Sequence, residues 1–376
     1  MKFNFTLFLL LAFGTACAQG HDIEPIIEQK DSLAFWIEDL QQIQDDLRSF
    51  AGDSAKRRMN FKELALSYTR YMEAYLAEIS DTNKRMAIRK DWQKQLDVVR
   101  GEEAVVLALL DESTHRKMLE LKKRERYLLL KIKTHTSSLI GSHTIRYRNH
   151  TYRIFIADTS LHSTALVWKN PQTQKRFATI DNVLKWHSDS SRGEVLLIAN
   201  AGMYTPEGAP QGLYIEHGKQ IIPLDTLGPK ENLNFYLKPN GVFYWEKTGK
   251  AGILTTERFK QFQSSKNSKL PDFATQSGPM LVIDGELHPS FRFGSKNLNI
   301  RNGVGIVNQY KMVFSISNQP VNLYDFAAFY KDILGCDNAL YLDGAISKMY
   351  QKDIHPQELG GDFGPMICIK KKATAK

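Results

Sequence analysis

Cysteine is scarce in this chain, with three in 376 residues. That is too few for a disulfide-built scaffold, and no cysteine spacing matches a zinc site. If Cys17 is removed or acylated, only Cys336 and Cys368 remain, either paired with each other or as buried thiols. Long apolar runs are also missing beyond the first twenty residues. No later stretch approaches the ~20 apolar residues that a membrane-crossing helix needs. There is no Gly-x-x-x-x-Gly-Lys-Ser/Thr phosphate loop, and Gly303-Val304-Gly305 lacks the strand-loop-helix setting of a nucleotide fingerprint. Those glycines serve tight turning or close backbone packing. The histidines His187, His217, His288 and His355 show neither helical i, i+4 pairing nor cysteine companions, so no transition-metal site and no cofactor is expected. Ser277 lacks a Gly-x-Ser-x-Gly elbow, which argues against a serine nucleophile.

A strong charge imbalance is absent too. The formal charge of +9 comes largely from short runs, Lys122 to Arg126 and the tail Lys370 to Lys376. These read as a solvated helix face and a frayed terminus, not a nucleic-acid stripe, so no nucleic-acid partner is expected. The N-terminus has a targeting character. Lys2 supplies a positive start, Phe5 to Phe13 an apolar core, and small residues follow, marking residues 1–18 as a signal peptide. Ala16-Cys17-Ala18 fits cleavage before Gln19, while Gly14-Thr15-Ala16-Cys17 is a loose lipoprotein box that would anchor the chain through Cys17. Both readings put the mature protein in the periplasm or cell envelope.

The remainder falls into two unlike halves. Residues 21–135 are rich in Glu, Gln, Lys, Arg, Leu and Ala, with apolar residues at helical spacing such as Phe61, Leu64, Tyr68, Tyr71, Met72 and Tyr75. This predicts an all-α region, a helical bundle or coiled-coil-like arm suited to self-association, docking or spacing. From about residue 140 to 372 the chain becomes glycine-punctuated and strand-rich. Tyr152–Ala157 alternates like a half-buried strand, and Val195–Ala199 is a continuous apolar run. Leu213–Ile222 and Leu281–Leu287 read as hairpins turning at His217-Gly218 and Asp284-Gly285. Tyr324–Leu334 reads as a helix after Asn322, and Leu340–Leu342 as a strand. The predicted fold class is therefore a mixed, strand-rich α/β domain preceded by the helical region.

Four polar-and-glycine clusters end apolar runs in the second half: Asn200-Ala201-Gly202-Met203-Tyr204, Gln276-Ser277-Gly278-Pro279, Arg301-Asn302-Gly303 and Leu342-Asp343-Gly344. Together they suggest one site assembled from several strand ends. Asp343 is the best candidate for a base or nucleophile, though Asp before Gly also forms turns. Arg301 suits a bidentate grip on phosphate, or else a salt bridge to Asp343 or Asp325. Asn200 can position hydroxyls or act as a turn residue, and the Ser277-Gly278 turn can converge backbone amides on an anion.

The order Asn200-x-Gly202-x-Tyr204, Gly212-Leu213-Tyr214-Ile215, Ser277-Gly278-Pro279-x-Leu281-Val282, Arg301-x-x-Val304-Gly305, Leu323-x-Asp325-Phe326-Ala327, Gly335-Cys336-x-x-Ala339-Leu340 and Leu342-Asp343-Gly344 resembles the phosphodiester glycosidase domain family, which includes the lysosomal uncovering enzyme. The longer matching stretches look closest to a bacterial branch of it. The resemblance covers roughly residues 145–370. It implies cleavage of a sugar-1-phosphodiester, or a related anionic glycan, at the glycosidic bond. It implies Asp343, Arg301 and Asn200 as catalytic residues and Ser277, Gly278, Gly344, Tyr204, Asn318 and Asp325 as substrate-binding ones. A non-catalytic glycan- or anion-binding protein using the same cleft is the alternative. A third possibility makes the helical half a docking module. Where the family often has Asn-Gly-Gly-Phe-Phe, this chain has Asn200-Ala201-Gly202-Met203-Tyr204, and Ala345 and Lys348 also depart from the usual pattern.

Overall fold

A computed structural model describes residues 32–53, 86, 90, 112–188, 193–228, 234–265, 269–343, 347–354 and 360–372. The targeting segment, most of residues 54–111 and Gly344 lie outside the described residues. The chain after residue 140 is the mixed, strand-rich α/β structure expected, and helices precede it.

Three sheets share one core. The first contains β1 (Gly141–Tyr147), β2 (His150–Asp158), β10 (Met280–Ile283), β11 (Glu286–Leu287), β12 (Asn302–Asn308), β13 (Lys311–Ser317) and β14 (Asn338–Tyr341), in the order β1-β2-β13-β12-β14-β10-β11. The second orders β15 (Met349–Gln351), β4 (Val195–Asn200), β16 (Met366–Lys371) and β3 (His162–Val167) as β15-β4-β16-β3. The third comprises β5 (Tyr214–Glu216), β6 (Lys219–Ile222), β7 (Gly241–Trp245), β8 (Ala251–Thr255) and β9 (Phe273–Ser277), ordered β6-β5-β9-β7-β8. Every pairing among these strands is antiparallel. Inward-facing side chains of all three sheets meet in a central cluster that includes Phe155, Leu197, Phe243, Phe273, Phe314, Leu340 and Ile367.

Each sheet is covered on its outer face by helix. On the second sheet, α3 (Ile180–His187) seats Ile180 and Val183 against Val195, Ile198 and Met366; Thr179 caps it by accepting from Asn182 N. On the third, α4 (Thr256–Ser264) buries Phe259 among Leu213, Ile215, Val242 and Ala274. The first sheet carries α5 (Leu323–Ala328) and the π-helical turn Phe329–Ile333 that continues it. There Gly305 has a packing role: a Cβ on it would lie 2.6 Å from Cys336 Sγ and 2.7 Å from the Tyr330 ring. The bare glycine backbone thus lets the π turn lie directly on β12.

The two long N-terminal helices are built into this same layer. They are α1 (Leu33–Asp53) and α2 (Glu112–Ser138). They run antiparallel, with Arg124 bonded to Asp39 at 2.7 Å and Trp36 edge-on to His135. The apolar stripe Trp36, Ile37, Leu40, Ile43 and Leu47 is buried together with Tyr147, Tyr152 and Phe329 of the strand domain. Polar ties reinforce this: Tyr147 donates to Asp332, Arg148 Nη2 to Gln44 Oε1, and Thr136 Oγ1 to Ile333 O.

Cys336 and Cys368 are both free and buried, in different core clusters. Burial pushes the Cys368 thiol up to about 12 and raises that of Cys336 as well. Of the two alternatives for this pair, the structure therefore takes the inert buried thiol.

Candidate active site

The seam between the first and second sheets brings four chain segments together. Asn200 is the last residue of β4, Asn302 the first of β12, Asp343 follows the end of β14, and Lys348 leads into β15. The seam is stitched at several points. Gln351 Nε2 donates to Ile154 O, and the Ser347 hydroxyl lies 3.1 Å from both Ile300 O and Asp343 O; within the first sheet Leu342 N donates to Asn302 O.

Asp343 is 5 % exposed, so its carboxylate is largely cut off from bulk water. Asn200 Nδ2 donates to Asp343 Oδ2 at 3.3 Å. The Asn200 amide is itself held, because its Oδ1 accepts from Asn302 Nδ2 at 3.1 Å and from Lys348 N at 2.8 Å. Those bonds fix which end of the amide faces the carboxylate. Asn302 is buried as well, and its Oδ1 has no partner among the described residues.

Tyr204 closes the other side. Its hydroxyl bonds the Asp343 carboxylate and also lies 3.0 Å from Asp362 O. Burial, and then the negative charge of Asp343, raise the Tyr204 phenol above its ordinary value, so it stays protonated as a donor. With one proton and two acceptors, this hydroxyl either donates to an ionised Asp343 or turns to Asp362 O and accepts from a protonated one. The strand end that carries Asn200 and Tyr204 must come very close to β9. A Cβ on Gly202 would lie 2.2 Å from Gln276 O, and Gly202 N donates to Thr275 Oγ1.

Arg301 sits under the site and not in it. It is 1 % exposed, and its guanidinium donates to Val321 O at 2.7 Å, Tyr341 Oη at 3.1 Å and Asn297 O at 3.0 Å. The cation also lies against the Tyr341 ring, 5.3 Å from its centroid. Burial raises the Tyr341 phenol, Arg301 opposes that, and the Asp343 charge adds to it. Tyr341, which accepts from Arg301 and feels the Asp343 charge, is a residue that sequence reasoning missed because an aromatic in an apolar strand reads as core.

The other expected residues fall in different places. Ser277 ends β9 fully buried with its Oγ unpartnered among the described residues, and Gly278 packs against Asn240 and Phe235 O, where a Cβ would lie 2.6 Å from Asn240 Cβ. This segment runs beside the site, since Pro279 O accepts from Tyr341 N. Asn318 is exposed on the loop after β13 and accepts from Arg153 Nε. Asp325 is buried in a 2.7 Å ion pair with Arg148, accepts from the Nδ2 of its helix's N-cap Asn322, and belongs to the α1 contact, not to the Asp343 cluster. Among the described residues no group of three or more His, Cys, Asp or Glu is arranged to hold a metal ion.

Given no role from sequence were Asn302, Tyr341, Arg176 and Asp362. Asn302 had a signal, its place beside Arg301 at a strand start. Arg176 and Asp362 had none, because their pairing joins distant segments.

The profile of the phosphodiester glycosidase family matches residues 193–363, the span from β4 to the Asp362 carbonyl that contains each residue bonded around Asp343. The uncharacterized protein YigE of Escherichia coli (strain K12) is 42% identical over 183 residues, covering 49% of this chain and 68% of that protein. Among solved structures, the catalytic domain of zebrafish N-acetylglucosamine-1-phosphodiester alpha-N-acetylglucosaminidase, auto-inhibited by its pro-peptide, gives a TM-score of 0.42. Its identity is 15%, over 62% of this chain and 83% of that one. A putative exported protein from Burkholderia pseudomallei gives 0.36, with 11% identity over 59% and 74% of the two chains. With its strand-end site inside the matched span and a relative of this identity over two thirds of its length, the chain belongs to the phosphodiester glycosidase family.

Proposed function

We propose that this protein is a hydrolase that cleaves the glycosidic bond of a sugar-1-phosphodiester or a related anionic glycan of the cell envelope. The observation that carries the reading is the Asp343 carboxylate, buried and oriented by the Asn200 amide and the Tyr204 hydroxyl. A carboxylate held in this way can act on an anomeric carbon directly or through water. The C1–O bond breaks, its electron pair leaves with the phosphate, and water supplies the hydroxyl of the released sugar and the proton of the phosphomonoester. Phosphate is already a good leaving group, so one well-placed carboxylate carries most of the chemistry. Arg301 acts as a positioning residue through Tyr341. The Lys2-to-Cys17 segment supports export, with the mature chain working in the periplasm or held to a membrane through Cys17.

The test is release of free sugar from N-acetylglucosamine-1-phosphodiesters by the whole mature chain, since α1 and α2 share its core. Asp343→Asn is expected to abolish turnover, and Tyr204→Phe to lower it by about ten- to a hundredfold with folding intact. Undiminished release by Asp343→Asn would sink the proposal.

A further inference from the structure

Outside the matched span, the segment before β4 builds a cavity of its own. Residues 169–176 fold back on themselves: Lys169 and Arg176 form a bridge, Gln174 N donates to Asn170 O, and Gln174 takes a positive φ of 58° to close the turn. The turn presents Lys175 and Arg176 toward α3, whose last turn carries Lys185 and Trp186. Between them lies a cavity of about 300 Å³, lined by these four residues and by Phe177 and Asn182 among others. Among the described residues its lining holds three cations and no carboxylate. The counter-charges stand at its edges, Asp181 paired with Lys185 at 2.6 Å and Asp362 with Arg176 at 3.0 Å. Both acids are substantially exposed, and exposed pairs of this kind are weak, so an entering anion can displace them.

Arg176 ties this cavity to the site. Arg176 Nη1 also donates to Phe363 O, and a Cβ on Gly208 would lie 1.8 Å from that same atom, so the guanidinium is tightly seated. The pair Arg176–Asp362 leads through Asp362 O to the Tyr204 hydroxyl and on to Asp343. The positive charge of Arg176 is felt at Tyr204.

We infer that this cavity is a subsite for a second anionic group of the substrate, a phosphate or carboxylate borne on the glycan beyond the scissile bond. An arginine fork flanked by two exposed lysines suits such a group, and the half-buried Trp186 offers a flat apolar wall to an adjoining sugar ring. The substrate is then a polyanionic glycan and not an isolated diester. This rests on the glycosidase reading above and specifies its substrate class.

The test compares the parent with Lys175→Ala/Lys185→Ala, two exposed positions outside the Asp343 cluster. Two diesters are assayed: methyl N-acetylglucosamine-1-phosphate, and the same sugar phosphate extended by a glycerol-phosphate oligomer. The double variant is expected to raise KM about tenfold for the extended substrate alone, with kcat and the methyl diester unchanged and the difference erased by high salt. Equal KM ratios in parent and variant would overturn the inference. In parallel, binding of the glycerol-phosphate oligomer and of a glucuronate oligomer is measured calorimetrically on Asp343→Asn with and without the lysine substitutions. Binding lost with the lysines supports the subsite and shows which anion it takes. Binding of neither oligomer, or of both regardless of the lysines, overturns it. Lysine-dependent binding without turnover of either diester keeps the subsite and removes the glycosidase reading.

Discussion

Asn200 Nδ2 reaches Asp343 Oδ2 at 3.3 Å across 143 residues of sequence, and the amide is held for that purpose from behind by Asn302 and Lys348. Asn200→Ala removes the donor and leaves the carboxylate free to turn. Turnover is expected to fall by roughly a hundredfold, the scale on which one preorganised donor matters. Asn200→Asp, which sets a second negative charge against Asp343, is expected to fall further. Steady-state kinetics with thermal melting as a folding control checks both.

Asp325 serves the fold. Its ion pair with Arg148 is nearly closed to solvent, at 12 % and 11 % side-chain exposure. Breaking one half of such a pair costs about 3–5 kcal/mol, because the other charge is left buried and alone. Asp325→Ala is therefore expected to lower the denaturation midpoint sharply while the surviving folded fraction keeps its KM. A raised KM at unchanged stability would instead place Asp325 in contact with substrate.

The N-terminal helix behaves as core. Leu40 is fully buried within the cluster that contains Tyr147 and Phe329. Leu40→Ala is expected to destabilise the strand domain itself by about 2–5 kcal/mol, read by chemical denaturation with fluorescence from that domain. A chain begun at residue 136 exposes the same apolar surface and is expected to aggregate.

Stability is expected to weaken on the acid side. Burial lowers the His288 imidazole below its ordinary value of 6.5, partly opposed by a bond to the Lys238 backbone. The unfolded chain then takes up this proton first. Stability contributed by neutral His288 is full above about pH 6.5, is lost as pH falls from there toward the lower folded value, and falls no further beyond it. His288→Asn keeps an acceptor for Ser290 N, where Nδ1 now accepts, and is expected to flatten part of the decline between pH 7 and 5 in unfolding free energy. His162, which burial shifts the same way, contributes to the residual slope. An unchanged slope in the variant would rule His288 out.

Much of the strand framework was legible locally. The Val195–Ala199 run is β4, the Asp284-Gly285 turn joins β10 to β11, and Leu340–Leu342 contains the end of β14, because period, apolar runs and turn residues are short-range signals. Asp343 and Asn200 were visible as polar residues ending apolar strands. What local pattern cannot show is partnership. Arg301 reads as a phosphate fork, but only the packed structure reveals Val321, Tyr341 and Asn297 taking its donors. Nor does the periodicity of residues 33–53 say against what their apolar stripe packs; that is fixed by a sheet whose first strand begins only at Gly141.

The seam between the first two sheets has one more consequence. Its chemistry depends on an amide, a carboxylate and a phenol that have no reason to meet in an open chain, and they are joined only where separate layers dock. On the glycosidase proposal, a molecule whose layers have not docked is expected to lack turnover, so activity would double as a certificate that assembly has finished.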